Sequence, residues 1–583
     1  MASSSRLDLA WLQKRPVGQG FLEMSQSTIA VTLAALVLVP VIASYIFAGR
    51  KGGQEIPLMN PPGPFELAFS KGVQFPQQGL ELYNKARKLF PGQPVKFITN
   101  IGTLTILPPD RAQEVKGIRS LDFRKSFSYS APLSAPGGAA LSTFDHPNEI
   151  LQTVVSKYLT KRLNTVTGPL ATEATFTINK DFGNSPDWTE VKMHDVGLDV
   201  VARLSSRVFL GSEICRNEEW LELTKRITIV LNTVLQTARV YPSWLRPLVY
   251  RFGKHGRDMM AVTKRVNDIV NPIIEKRKIE KAECEARGEP APVYNDAIEW
   301  ILSEHDPNDR VFEVADFQIA LSVAAVHTTS DLLSHTMLTL AANPQHIEPL
   351  RKEIIQVLGT GGWKKTSLTS LRLLDSAVKE AQRLKPVQNG KKMAPPPRFI
   401  PQPIRPAGDN DYQTAGESFL FDTVASNSLP ENQTVSMQRL VTEDTTIEGG
   451  YTLRKGELVG VDTYPLRDPA KWPEPEAFDP YRFYQARKQP GGEHKAQLVS
   501  VSPDHLTFGY GKHACPGRFF AANEVKLALC HLLLKYDWKL PEGGSAQPIM
   551  YGLDPIVNPG ATVMFRRRKE ELDLDSLLVD SEE

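Results

Sequence analysis

The chain has 583 residues, with 68 Lys and Arg against 66 Asp and Glu, a formal net charge of +2, 41% apolar and 23% charged residues. That composition excludes global disorder, collagen-like repeats and a multi-span membrane protein, and the balanced charge removes the electrostatic footprint of a nucleic-acid binder. Four cysteines, Cys215, Cys284, Cys515 and Cys530, are too few and too scattered for a disulfide framework.

Residues 1–28 precede the first informative element. Residues 29–47 form an uncharged, mostly apolar run of nineteen, closed by Arg50 and Lys51. At ~1.5 Å per residue this run spans roughly 28 Å, about the hydrocarbon thickness, and predicts one transmembrane helix. A cleaved signal peptide would have a shorter core nearer the N-terminus. Lys14 and Arg15 on one side offset Arg50 and Lys51 on the other, so charge alone does not orient the span. Residues 48–64, with Pro57, Pro61, Pro62 and Pro64, read as a stiff extended hinge that stands the body off the membrane.

Residues 65–565 read as one body, mainly α with small β-sheets. Residues 240–252 mix aromatic side chains with Arg246 and Arg251, which suits a bilayer interface or a packed interhelical loop about equally. Residues 312–342 contain no Pro or Gly and are apolar on most faces, which predicts a long buried helix. Further helices are expected over 366–384 and 518–536, and short strands over 434–461. Residues 388–432 hold seven prolines and no periodicity, which predicts a disordered insertion. In residues 566–583 a basic run precedes fourteen residues of which seven are acidic, so a charged disordered tail is expected.

Three constellations carry chemistry. Between Phe508 and Arg518, glycines at 509, 511 and 517 permit tight left-handed turns around His513 and Cys515. Cys515 stands just before a helix, where free N–H groups and the helix dipole favour a thiolate. A thiolate in a dry glycine-rich loop is what axial ligation of haem iron requires, and a buried structural cysteine is the bland alternative. No CxxC partner exists, which disfavours zinc or dithiol chemistry. Glu380 and Arg383, at i and i+3, share a helix face, and Arg482 follows in a proline-bracketed aromatic turn. A Glu clamped between two guanidiniums would be a permanently charged lock. In the central helix, Ala324 and Ala325 lower the surface enough for a planar cofactor, and Thr328 can bond back to its i−4 carbonyl or turn to a ligand.

The Ala-Ala-x-x-Thr helix, the ExxR pair, the aromatic–Pro–Arg turn and the cysteine loop follow in that order behind an N-terminal anchor and proline hinge. Over roughly residues 60–565 the chain resembles a microsomal cytochrome P-450. The His327-Thr-Thr-Ser-Asp and Cys515-Pro-Gly-Arg-Phe-Phe-Ala runs are similar to fungal enzymes of the ent-kaurene-oxidase and indole-diterpene-oxidase type. The resemblance implies the cytochrome P-450 fold, mainly α with small β-sheets and one N-terminal transmembrane helix. It also implies a haem-thiolate monooxygenase that uses O2 to oxidise a rigid hydrophobic substrate, a terpenoid (diterpene or indole-diterpene) of fungal secondary metabolism. Cys515 would be the axial ligand of haem b, with Phe508 packed near the sulfur. His513 and Arg439 would meet haem propionates. Glu380, Arg383 and Arg482 would form the structural triad, and Thr328 would help deliver protons at the distal oxygen site.

Electrons would come from NADPH through a cytochrome reductase, with cytochrome b5 as a further donor. The anchor would place the body on the cytosolic face of the endoplasmic reticulum membrane. Two departures stand out. His327 occupies the position where the family commonly has an acid, and an imidazole titrating near neutrality can relay protons. The 388–432 segment lies where relatives cross in a handful of residues, which points to a retained intron, another gene-model error or a disordered loop. Rival activities are desaturation or rearrangement on the same centre, and a catalytically dead membrane-tethered scaffold.

Overall fold

The computed structural model describes residues 54–130, 135–239, 241, 244–306, 308, 311–386 and 435–578. The expected transmembrane run at 29–47 and the insertion at 388–432 lie outside the described residues. Among those described, no helix is long and apolar enough to cross a membrane. The chain divides into a small unit, residues 1–55 and 448–451, and a large one, residues 56–447 and 452–583. In the small unit Gln54 pairs with Tyr451 in a parallel bridge.

The large unit is organised around the helix Val314–Ala342, whose N-terminus carries a reciprocal capping box between Glu313 and Asp316. Apolar on all faces, this helix is stable only when surrounded, and nearly every residue of it is buried. The helix Met193–Phe209 approaches it closely because Gly197 has no side chain: a Cβ there would stand 2.2 Å from Ser334 Oγ. That hydroxyl instead donates to the Met193 carbonyl at 3.1 Å. The expected helix over 366–384 breaks in two, Lys365–Ser370 and Arg372–Leu384, with Leu371 non-helical between them. The helix Arg518–Lys535 follows the cysteine loop.

A five-stranded sheet runs in the spatial order Val95–Thr99, Gly102–Leu107, Leu458–Asp462, Val435–Val441, Leu121–Asp122. Its pairings are antiparallel except that Gly102–Leu107 runs parallel to Leu458–Asp462. A bulge lies between Ser436 and Arg439, where Met437 takes φ 51°, a left-handed conformation unusual for a buried non-glycine residue.

Two expectations at the ends of the body are corrected. The proline hinge does not stand clear. Asn60 makes a pair of hydrogen bonds with the Ile98 backbone at 2.8 Å, and Met59 N–H donates to the Lys96 carbonyl, so residues 57–60 dock on the edge of Val95–Thr99. Unpaired edge groups attract such extended chain. The charged tail is ordered as far as residue 578. The strand Thr562–Arg567 pairs with Thr189–Lys192 and Tyr536–Lys539. Leu574 is fully buried, its carbonyl accepts from Trp363 Nε1, and Asp575 pairs with Lys535 at 2.8 Å. Specific ion pairs and one apolar contact held this segment where composition alone suggested solvation.

Glu524, fully buried in the helix Arg518–Lys535, has one hydrogen bond, from Ser205 Oγ at 2.8 Å, and its Oε2 has no partner among the described residues. Burial pushes its carboxyl up to about 8. In the unfolded chain it ionises at an ordinary carboxylate value. Between these limits the unfolded state therefore binds fewer protons than the folded one, and stability falls as pH rises. Glu524→Gln is expected to flatten the loss of stability between about pH 5 and 8, read as melting temperature against pH. An unchanged slope would assign that loss to other groups.

Candidate active site

The cysteine loop is shaped by two positive φ angles, at Gly509 (71°) and Gly511 (76°). A Cβ at Gly511 would collide with Lys116 Cγ at 2.4 Å, so the turn requires glycine. Gly517 departs from expectation: with φ −85° it is not left-handed but serves as N-cap of the helix Arg518–Lys535. The Phe508 carbonyl accepts from Cys515 N–H at 2.8 Å, and Arg518 Nη1 donates to the Cys515 carbonyl at 2.7 Å. The sulfur is thereby held at a helix N-terminus. Burial raises its thiol pKa. The N–H groups of Gly517 and Arg518 and the Arg518 charge act in the opposite sense but do not win. The charge of a bound cation would favour the deprotonated sulfur.

Between the two ends of the central helix, three residues break the run of burial. Ala324, Ala325 and Thr328 are half-exposed amid buried neighbours, and at i, i+1 and i+4 they share one face. Thr328 Oγ1 donates to the Ala324 carbonyl at 2.8 Å, with the Ala325 carbonyl at 3.3 Å. His327 is turned elsewhere: its Nε2 donates to the Lys225 carbonyl at 2.8 Å, in the helix Glu218–Arg239. One residue along a helix rotates the side chain by about 100°, which takes it from the open face to the neighbouring helix.

A basic cluster surrounds the loop. Arg439 is buried at the sheet bulge. Its Nη1 donates to the Gln438 carbonyl at 2.8 Å, while Nη2 has no partner among the described residues. Burial lowers its pKa to about 10, with Asp122 opposing. The Arg439 guanidinium lies 5.4 Å from the Phe123 ring, whose centroid is 6.3 Å from that of His513. Burial, followed by the charge of Arg439, pushes His513 down to about 4, so at neutral pH it is uncharged; Arg124 and Lys512 act in the same direction. Arg124 pairs with Glu149 at 2.7 Å and with Asp122 at 3.5 Å, and Lys512 reaches Glu149 at 3.1 Å. An orphaned buried guanidinium and a neutral imidazole beside further cations suit carboxylate groups. With the half-buried Cys515 and the half-exposed Ala-Ala-Thr face, the residues fit a haem with its two propionates. Arg124 escaped sequence reasoning because nothing in a lone arginine marks it, and only the fold brings residue 124 beside residues 439 and 513.

Behind the site, Glu380 accepts from Arg383 Nε and Nη2 at 2.8 Å each and from Arg482 Nε at 3.0 Å. Arg383 Nη1 also donates to the carbonyls of Leu466 and Pro475 at 2.7 Å. The two-arginine clamp therefore exists, and it extends through carbonyls that no local motif announces.

The sequence model of the family described as Cytochrome P450 matches residues 161–392 and 432–564, leaving 393–431 unmatched. The chain is 38% identical over 482 residues to cytochrome P450 monooxygenase 1 of Gibberella fujikuroi, covering 83% of this chain and 99% of that one. It is 36% identical to cytochrome P450 monooxygenase eqxH of Fusarium heterosporum, covering 90% and 93% respectively, and 37% identical to hepE of Aspergillus oryzae, covering 89% and 86%. Among solved structures, a retinoic acid-bound cyanobacterial CYP120A1 aligns with a TM-score of 0.59 at 17% identity, covering 88% of this chain and 100% of that one. The cytochrome P450DA haem domain aligns at 0.61 and 18%, covering 88% and 97%. Similarity of this extent makes the chain a member of the cytochrome P450 monooxygenase family, an oxidoreductase.

Proposed function

We propose that this P450 monooxygenase oxidises a rigid, largely hydrocarbon terpenoid, a diterpene or indole-diterpene, in fungal secondary metabolism. Cys515 would ligate the iron, Phe508 would pack near the sulfur, and Arg439 and His513 would hold the propionates. The observation that carries this reading is the half-exposed Ala324, Ala325 and Thr328 on a helix whose interior is otherwise buried, in a domain with a half-buried cysteine at a glycine-shaped turn. Bound haem supplies dioxygen activation and transfer of one oxygen atom to a C–H bond. The chain's own residues bind, orient and exclude water. The apolar helix face keeps the pocket dry, and Thr328, by releasing its bond to the Ala324 carbonyl, can pass a proton toward the open side.

Electrons would arrive from NADPH through a reductase, with cytochrome b5 as a second donor. Residues 29–47 would anchor the chain in the endoplasmic reticulum membrane, the body on its cytosolic face. Trp244 (76% exposed) and Phe252 (69%), with Leu248 beside them, offer that body an apolar contact with the bilayer; a fluorescent fusion found soluble throughout the cell would refute the placement. Residues 388–432 would be an addition to the family body, in keeping with the gap in the family match. Spliced transcripts that encode Ala394 to Arg405 would rule out a retained intron.

Purified protein with reductase, NADPH and a panel of diterpenes and indole-diterpenes, read by mass spectrometry, tests the substrate class. A product heavier by one oxygen is expected. In the same assay Thr328→Ala is expected to divert reducing equivalents to peroxide, several-fold more per NADPH, while Thr328→Ser retains coupling. No product from either class, alongside turnover of an unrelated skeleton, would overturn the terpenoid reading.

A further inference from the structure

The helix face that opens at Ala324, Ala325 and Thr328 continues into a polar column. At about 100° per residue, Asp331 lies within about 20° of Ala324 around the helix Val314–Ala342, and His335, one turn further on, within about 20° on the side of Thr328. Both are buried, at 2% and 5% exposure. Asp331 Oδ2 accepts from the ammonium of Lys385, itself buried, and Oδ1 accepts from the Val557 N–H at 3.4 Å. Lys385 is the C-cap of the helix Arg372–Leu384, its N–H on the Ala381 carbonyl at 2.9 Å. The clamp that fixes Glu380 and Arg383 on that helix therefore also fixes this ammonium. A carboxylate and its counter-cation thus stand just under one turn beyond Thr328.

Holding two helices together does not call for such a pair, because ion pairs taken out of water are often matched or bettered by apolar side chains of the same volume. What burial does favour is proton movement. A proton passing from Nζ to Oδ2 neutralises both groups, and surroundings of low polarity penalise the charged form. His335 shares this setting. Neither of its ring nitrogens has a partner among the described residues. Burial, then the charges of Lys385 and Arg467, with Asp331 opposing, push it down to about 3, so it stays neutral. The residue before Thr328, His327, is bound to the Lys225 carbonyl on the neighbouring helix. Thr328 has its own hydroxyl hydrogen on the Ala324 carbonyl, so to pass a proton to the open side it must take another up at its oxygen. Side chains at i and i+3 are neighbours, about 5–6 Å apart at Cβ, a gap that one water or a turn of the carboxyl closes.

We propose that Asp331, protonated by Lys385, supplies Thr328 with the protons that the reaction consumes. Asp331 acts through Thr328, and the proposal rests on the role given to Thr328 above. One proton leaves Nζ for Oδ2, the carboxyl hands it to the Thr328 oxygen, and the threonine releases its own to the open side. No electron moves, and solvent water returns the proton to Lys385.

The test uses the full-length holoenzyme with Asp331→Asn, Lys385→Met and the double variant. Removing one partner leaves a buried charge uncompensated, whereas the double variant has none to bury and is expected to melt close to the parent. The dithionite-reduced protein is mixed with air-saturated buffer, with no substrate added, and its return to the oxidised spectrum is timed in H2O and D2O. The double variant is expected to reoxidise at least about tenfold more slowly, with a larger D2O effect, while forming its carbon monoxide complex as the parent does. Lys385→Met, which leaves the carboxyl in place to take up a proton, should be slowed less. It should also show the infrared carbonyl band of a protonated carboxyl, shifting in D2O and missing from the double variant. Should a single variant fail to fold, the rate of the double variant decides. A double variant with the parent's rate and isotope effect, or one that does not fold, would make the pair a lock and overturn the proposal. So would the absence of the carboxyl band in folded Lys385→Met. Thr328→Ala separates the two failures: if it reoxidises as the parent does, the role of Thr328 fails. If it is altered while the double variant is not, only Asp331 is dismissed.

Discussion

Cys515→Ser is expected to fold, to retain the melting behaviour of the parent, and to lose the red-shifted carbon monoxide band together with turnover, by on the order of a thousandfold. The two side chains are nearly isosteric, so the loop closed by the Phe508 carbonyl and Arg518 should persist. What changes is the donor. A thiolate gives electron density to iron in a way that a hydroxyl, ionising far above neutrality, does not. The structure sharpens this prediction. Burial raises the Cys515 pKa despite the N–H groups of Gly517 and Arg518, so a serine in the same place would be still harder to ionise. Circular dichroism and haem content, measured beside the difference spectrum, separate a chemical from a structural loss. A pigmented, active serine variant would end the assignment of Cys515 as the ligand.

The other large effect is structural. Glu380→Ala is expected to yield protein that neither folds cooperatively nor takes up haem. Glu380 and Arg383 are fully buried and meet in a bidentate pair. Deleting one partner of such a pair leaves an uncompensated buried charge, at a cost of about 3–5 kcal/mol. Domains are typically stable by only about 5–15 kcal/mol. Arg383→Lys should fail almost as badly. A single ammonium cannot replace the fork that holds Glu380 on one side and the Leu466 and Pro475 carbonyls on the other. Arg482→Ala should cost less, about 1–2 kcal/mol, because its side chain is partly solvated and its Nη1 bond to the Pro473 carbonyl is exposed. Urea midpoints and haem stoichiometry across the three variants check the order. Equal stability for all three would show that the clamp contributes nothing.

Helix Val314–Ala342, the helix after Cys515 and the pairing of Glu380 with Arg383 were legible because each rests on local spacing: a break-free apolar run, a glycine-shaped turn, an i and i+3 pair. The second half of the clamp was legible in outline, since Arg482 sits in an unusual aromatic turn, but its geometry joins segments about a hundred residues apart. The docked prolines and the ordered tail were missed for a related reason. Composition reports the average tendency of a segment to be solvated, whereas Asn60 on Ile98 and Asp575 on Lys535 are single partnerships across the chain.

The amino-acid sequence by itself determined which residues can do chemistry here: a cysteine at a turn only glycine can make, an arginine lock, a threonine on an apolar helix. Tertiary structure alone decided which way they face. Residues 327 and 328 are neighbours in the chain, yet a rotation of about 100° per helical residue sends Thr328 to the open face and His327 to the Lys225 carbonyl. The electrostatics, too, followed only from the fold, because burial depends on what surrounds a side chain. It outweighs the helix terminus at Cys515, neutralises His513, and leaves Arg439 with one nitrogen unpartnered among the described residues.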